Sequence, residues 1–352
     1  MCRELHGIKL ELLHSVKKDV NVFTVCGARS ETVDRGRGRI AINMEYSQQF
    51  CELFFQALRI RLVEERIIEL YPSDGIQSPV HLSIGQEAVA VGACRDLRKT
   101  DLVFCTYRSH AFYLAKGGNL AEMFAELYGK VTGCARGKAG SMHLAAPDVG
   151  LMGASAVVAS TIPHAVGAAL AAKRLGHDQV VVGVFGDGAT EEGVYHESLN
   201  FAVLHRLPVV FLCENNGLAV HSSQKARQGY DLLDHARSYG LPVHHLAEGY
   251  DLVKVADTMS DIVRQVRSTR EPVFVEIRTY RYKEHVGPGE DFMCGYRQSE
   301  EWLAWKRQDP LEQYGDLAET MRPAIMKEID EAVHFAMSSP FPAEEELLRD
   351  VV

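Results

Sequence analysis

Two short apolar runs, 179–185 and 208–213, flank a stretch of helical periodicity at 191–204, and this arrangement constrains the fold more than any other feature. The first run reads Gln-Val-Val-Val-Gly-Val-Phe and the second Pro-Val-Val-Phe-Leu-Cys. Apolar residues on consecutive positions mark strands covered on both faces. Strand, helix and strand in that order predict a parallel pair joined by a right-handed crossover. A third run at 272–278 comes after an amphipathic stretch at 252–266 and extends the alternation. The expected class is α/β, with a mainly parallel sheet flanked by helices.

The residues just past each strand carry the chemistry. Gly186-Asp187-Gly188 comes directly after the first run and Asn215-Asn216 directly after the second. Both fall at carboxyl ends of strands, the edge where open parallel sheets bind ligands. The residues between them, 189–214, suffice for one helix and one strand, so the two loops become neighbours. A carboxylate and an amide oxygen are hard ligands suited to magnesium, which also takes phosphate oxygens. Gly186 and Gly188 let the backbone approach a phosphate, and a helix opening near Glu191 presents free N–H groups to it. Either motif alone is an ordinary turn; together, at this spacing, they predict a metal–diphosphate site.

Composition removes whole classes of function. With 38 basic and 47 acidic residues the net charge is -9, so no basic excess exists to neutralise nucleic-acid phosphates. No apolar stretch is long enough to span a bilayer, and no Gly-x-Gly-x-x-Gly follows any strand, which argues against a dinucleotide-binding protein. The eight cysteines form no Cys-x-x-Cys pair, so neither zinc nor a disulfide framework is expected, and the reading is a reducing, cytoplasmic compartment. Further helices are expected at 47–71, 85–95, 120–128, 163–174 and 326–336, the last in a charged tail whose final ten residues are loose. Residues 1–43 carry Arg-Gly-Arg-Gly-Arg at 35–39 with Asp19, Glu31 and Asp34, and read as an irregular extension rather than a transit peptide.

The Gly-Asp-Gly and Asn pair are similar to the signature of thiamine diphosphate enzymes. Four segments narrow the likeness: His81-Leu-Ser-Ile-Gly-Gln-Glu-Ala88, Thr106-Tyr-Arg-Ser-His110, Gly137-Lys-Ala-Gly-Ser-Met-His143 and Cys213-Glu-Asn-Asn216. They resemble the α subunit of the decarboxylating component of 2-oxo acid dehydrogenase complexes, or of acetoin dehydrogenase, over about 47–310. The resemblance implies a thiamine diphosphate-binding domain at 44–335, with 336–352 as a tail. It implies that Asp187 and Asn216 bind magnesium by side chain and Leu218 by its carbonyl. Gly188 and Ala189 would contact the diphosphate through the backbone, and Tyr107 and Arg108 would grip it; an arginine fork suits phosphate oxygens. Val158 matches the backbone position that holds the aminopyrimidine. His81 and His285 match two active-site histidines, His285 also lying against the cofactor, and imidazoles suit proton traffic near neutral pH. His110 and His143 stay outside that set.

The likeness implies oxidative decarboxylation of a short, pyruvate-like 2-oxo acid with acyl transfer to a lipoyl carrier. Acetoin cleavage, carbonyl transfer by a transketolase-like subunit, and a non-catalytic cofactor-binding subunit are the alternatives. The Gly-Gln-Glu-Ala and Thr-Tyr-Arg segments speak against the second, and intact Asp187, Asn216, Arg108 and His285 against the third. The glutamate that activates the cofactor resembles a contribution from a separate β chain, so an α2β2 heterotetramer is implied, with a lipoyl acyltransferase as a further partner. Two departures stand out. Where the family reads Gly-His-Ser, a phosphorylation site in some members, this chain has Glu284-His285-Val286, and Ala156 replaces a common glycine.

Overall fold

The computed structural model describes residues 46–349; the expected extension at 1–43 lies outside the described residues. Ser47 Oγ accepts a hydrogen bond from Phe50 N at 3.1 Å, capping one orphan donor of the first helix. The first half of the chain forms α1 (Gln48–Leu70), α2 (Glu87–Arg95), β1 (Leu102–Thr106), α3 (His110–Ala115), α4 (Leu120–Leu127), β2 (Leu151–Ser155) and α5 (Thr161–Arg174). Next come β3 (Val181–Gly186), α6 (Gly193–Leu204), β4 (Val209–Asn215), β5 (Leu218–Ala219), β6 (Ser222–Ser223) and α7 (Gln224–Arg227). The chain closes with α8 (Leu232–Ser238), β7 (Val243–Leu246), α9 (Leu252–Thr269), β8 (Val273–Arg278), α10 (Ser299–Lys306), α11 (Pro310–Gln313) and α12 (Gly315–Ser338).

Six strands form one sheet in the order β2-β1-β3-β4-β8-β7, every neighbouring pair parallel. Successive residues on a strand face opposite sides, and the core divides accordingly. Val182, Val184, Val210 and Leu212 pack beneath α1, α2, α4, α9 and α12. Val181, Phe185, Val209 and Phe211 pack beneath α5, α6 and α8. That two-sided cover is why these strands read as unbroken apolar runs.

The expected strands and helices at the centre of the chain are all present within a few residues. α6 begins at Gly193 rather than near Glu191, because Asp187–Glu191 forms a 3₁₀ turn of its own. The free N–H groups expected from that helix therefore come from the tighter turn. β1, β2 and β7 were hidden in the sequence by short length and by glycine or histidine. α12 begins eleven residues before 326 and ends two past 336, and the expected boundary at 335 lies inside it. Past it, Val131 N donates to Pro340 O at 3.1 Å and Arg136 pairs with Glu346 at 2.6 Å. Five described cysteines (94, 105, 134, 213 and 294) are free. No helix among the described residues is long and apolar enough to cross a membrane.

The strand order sets the site. From β1 the chain moves outward to β2, then returns across β1 to β3 and proceeds the other way. The crevice between β1 and β3 is thus the point of reversal, where the loops leaving adjacent strands diverge and open a pocket.

Candidate active site

Tyr107 and Arg108 leave the carboxyl end of β1, and Asp187 and Gly188 leave the carboxyl end of β3. Asn216 and Leu218 come after β4, and His285 lies in the loop after β8. Adjacent strand ends bring these groups together although up to 178 positions separate them (107 to 285).

Three rings meet on one side of the crevice. His81 lies 4.4 Å from Tyr107 and 5.1 Å from His285, centre to centre, and Tyr107 is 5.6 Å from His285. Burial pushes the His81 imidazole down to about 3, with Arg108 adding to the effect. Burial likewise takes His285 to about 4, again helped by Arg108. Both rings are neutral at physiological pH. His81 Nδ1 is buried and has no hydrogen-bond partner, which is costly unless a ligand supplies one.

Arg108 is buried, and its guanidinium donates to the carbonyls of Leu82 at 2.6 Å and His285 at 3.2 Å. It thereby ties the His81 segment to the His285 loop. Among the described residues it has no carboxylate within ion-pairing distance, and burial lowers its pKa to about 10. A buried cation without a counter-ion is a site for an anion. Glu214 is an acid that Arg108 feels, and its carboxyl is raised by burial to about 7 against the pull of Arg108 and a hydrogen bond from Gln86.

Gln86 also links the two halves, since Asn216 Nδ2 donates to Gln86 Oε1 at 3.3 Å. The two asparagines differ in kind. Asn215 is fully buried and spends its amide on Glu276 and on Gln224 at 3.0 Å, and its oxygen on Gly217 N at 2.9 Å. Asn216 is half-buried, with its oxygen receiving Leu218 N at 3.1 Å. Of the pair, only Asn216 faces the crevice with capacity to spare.

Asp187 is 1% exposed. One carboxylate oxygen accepts from Arg227 Nη2, whose other terminal nitrogen pairs with Glu191. Burial raises the Asp187 pKa, and Arg227 opposes the rise. Ala189 is buried in the 3₁₀ turn, and Gly188 lies so close to β5 that an added Cβ would stand 2.7 Å from Ala219 Cβ. Val158 stands apart in the exposed turn after β2; no hydrogen bond of the described residues draws it toward the rings or toward Asp187.

The donors fit a magnesium–diphosphate pair. Asp187, the Asn216 amide and the Leu218 carbonyl are all oxygen ligands with a single carboxylate among them. No cluster of three or more His, Cys, Asp or Glu able to hold a metal exists among the described residues; magnesium commonly completes a sparse oxygen set with phosphate oxygens and water. Arg108 and the Gly188 backbone would complete an anion cradle.

The sequence model of the dehydrogenase E1 component family matches residues 56–345. The chain belongs to that family. It is 34% identical over 310 residues to the α subunit of acetoin:2,6-dichlorophenolindophenol oxidoreductase of Bacillus subtilis, covering 85% of this chain and 92% of the relative. It is 35% identical over 318 residues to the chloroplastic pyruvate dehydrogenase E1 component subunit alpha-3 of Arabidopsis thaliana, covering 85% and 73%. The E1 α subunit of Rickettsia bellii pyruvate dehydrogenase is 32% identical, covering 86% and 96%. Among solved structures, a Pichia stipitis transketolase with xylulose 5-phosphate superposes with a TM-score of 0.51 at 13% identity. That match covers 81% of this chain, which spans about half (48%) of the transketolase, and shows the fold alone.

The site is held by residues that motif reading passed over. Glu126 is buried and accepts four backbone N–H groups, of Ala135, Gly137, Ala139 and Gly140, at 2.7–3.2 Å. It shapes the Gly137–His143 segment from beneath. His110 is enclosed between Ser141 Oγ at 2.7 Å and Glu64 at 3.3 Å, and Glu64 also accepts Ser83 N at 3.0 Å. His143 is exposed, with Nδ1 3.2 Å from Ala154 O. The divergent loop is closed by Glu284, which accepts Gly289 N at 2.7 Å, and is anchored where Asp291 sits buried between Arg281 and Arg297. Val286 is exposed in that loop and offers no hydroxyl.

Proposed function

We propose that this chain is the α subunit of a thiamine diphosphate- and magnesium-dependent dehydrogenase that oxidatively decarboxylates a short, pyruvate-like 2-oxo acid. The observation that carries the reading is the meeting, at one sheet reversal, of a buried guanidinium without an anion and a buried carboxylate beside oxygen donors. When bound, the cofactor supplies a carbanion that adds to a carbonyl and then serves as an electron sink.

The chain's own residues bind and orient. Asp187, Asn216 and the Leu218 carbonyl would hold magnesium, while Arg108, Tyr107 and the Gly188-Ala189 backbone take the diphosphate. The Val158 backbone would meet the aminopyrimidine. His81 and His285, both neutral, can accept or donate a hydrogen bond at the substrate oxygen and hold a proton there. The buried His81 ring and the half-buried Tyr107 and His285 rings would limit water around the reacting carbonyl.

The reading includes a β subunit that supplies the activating glutamate, an α2β2 assembly and acyl transfer to a lipoyl acyltransferase. Relatives whose names call them α subunits support the pairing. The proposed compartment is the cytoplasm, in keeping with five free thiols, one of them the exposed Cys294. Acetoin cleavage is the second reading, favoured by the Bacillus relative that the chain covers over 92% of its length. The deciding experiment co-purifies the chain with its β subunit and measures magnesium-dependent thiamine diphosphate binding by calorimetry. Reduction of 2,6-dichlorophenolindophenol with pyruvate or with acetoin then separates the two substrates. Absence of magnesium-dependent binding in the complex would overturn the assignment, and decarboxylation by this chain alone would overturn the need for a partner.

A further inference from the structure

We propose that Arg227 couples metal binding to diphosphate binding at this site, making the divalent cation a weak ligand by itself and a tight one only with the cofactor. The inference rests on the magnesium–diphosphate reading and adds a residue that none of the motifs contains.

Arg227 ends α7, in the strap that returns from the β5–β6 hairpin over the Gly-Asp-Gly turn. All three of its guanidinium nitrogens are committed. Nη2 donates to Asp187 Oδ2, Nη1 to Glu191 Oε1, and Nε to Ser222 O at 3.1 Å. The side chain is 11% exposed, against 1% for Asp187, so the contact is poorly screened by water. Gln228 fastens the same strap by donating to Asp187 O at 3.1 Å and Thr190 Oγ1 at 2.8 Å.

Asp187 is the single carboxylate of the donor set. Arg227 occupies its Oδ2. A cation arriving alone meets a carboxylate whose charge is already partly neutralised by the Arg227 contact. Charges a few ångströms apart in a poorly hydrated site interact strongly, so the bare metal is disfavoured. A diphosphate brings several negative charges to the same place and reverses the balance. Metal and diphosphate therefore load as a pair, and by linkage each strengthens the other by the same factor. Glu191 moderates the effect by sharing the guanidinium.

The test uses the full chain in complex with its β subunit and manganese as the metal probe. Free manganese is measured by electron paramagnetic resonance, with and without thiamine diphosphate. Arg227→Gln is expected to tighten manganese binding without cofactor about tenfold, roughly 1.4 kcal/mol, and to shrink the cofactor-induced strengthening by the same factor. Arg227→Lys keeps the charge and should keep most of the coupling. Glu191→Gln, which leaves Arg227 wholly on Asp187, should move manganese affinity the other way. Unchanged or weaker manganese binding in a folded Arg227→Gln complex overturns the inference while leaving the cofactor assignment intact, and so does an Arg227→Lys complex that behaves like it. Failure of the wild-type complex to bind thiamine diphosphate with metal overturns both.

Discussion

His81 and His285 show how far burial can move a residue from its usual chemistry. Free imidazole titrates near 6.5, whereas these two are pushed to about 3 and about 4. Because the folded values lie below the unfolded one, the unfolded chain binds more protons between those limits. Their contribution to stability is complete above about pH 6.5 and is lost as the pH falls toward 4. Urea unfolding at pH 7.5 and pH 5 should show that decline, and His81→Gln together with His285→Gln should flatten it; an unchanged slope would contradict the assignment. Arg108 acts at the same scale through shape as much as charge. Arg108→Lys keeps a cation but loses the fork that reaches both Leu82 O and His285 O. Thiamine diphosphate affinity of the α–β complex should fall about tenfold, or 1.4 kcal/mol, by calorimetry, with the melting temperature little changed. These residue identities could be read in the sequence. The neutrality of the two rings and the missing partner of His81 Nδ1 could not, since both depend on what else is buried nearby.

At the scale of elements, the site depends on loops held by distant groups. Gly188 has no room for a methyl because β5 passes over it, 2.7 Å from a would-be Cβ to Ala219 Cβ. Gly188→Ala should cost about 1–3 kcal/mol by overpacking and weaken cofactor binding more than it lowers the denaturation midpoint. Adding Ala219→Gly should restore part of both, and no rescue would place the defect elsewhere. Glu126 organises the Gly137–His143 segment by accepting four backbone donors while 1% exposed. Glu126→Gln leaves at least one of those donors unpaired and should destabilise by on the order of 3 kcal/mol, measured by chemical denaturation. The longer helices and the central strands were legible because apolar period and length agree there; the short helices at 110–115, 232–238 and 299–306 were not. The hairpin at 218–223 and the turn at 187–191 were not, since two-residue strands and 3₁₀ turns carry no periodicity.

At the scale of the whole molecule, a buried charge network joins elements remote in sequence. Arg61 on α1 bonds Glu87 on α2 and Asp309 at the start of α11, the latter at 2.9 Å, with all three nearly excluded from solvent. Removing the one cation of this network leaves two buried carboxylates unpaired, at a cost of about 3–5 kcal/mol. Arg61→Met should therefore lower the unfolding midpoint of the entire described region in one transition, with cooperativity preserved; a loss confined to the carboxyl-terminal helices would indicate independent folding instead. The sequence by itself determined the α/β class, the parallel strand–helix–strand centre and the oxygen donors at two strand ends. It could do so because those features repeat at short range, in runs of β-branched residues and in turns fixed by Gly, Asp and Asn. The strand order β2-β1-β3-β4-β8-β7 was decided only by the tertiary structure, and with it the crevice that sets Tyr107-Arg108 beside Asp187. So was the contact of Arg227 with Asp187, 40 residues apart. Pairing across such distances depends on which faces can be buried together, and no local pattern encodes that.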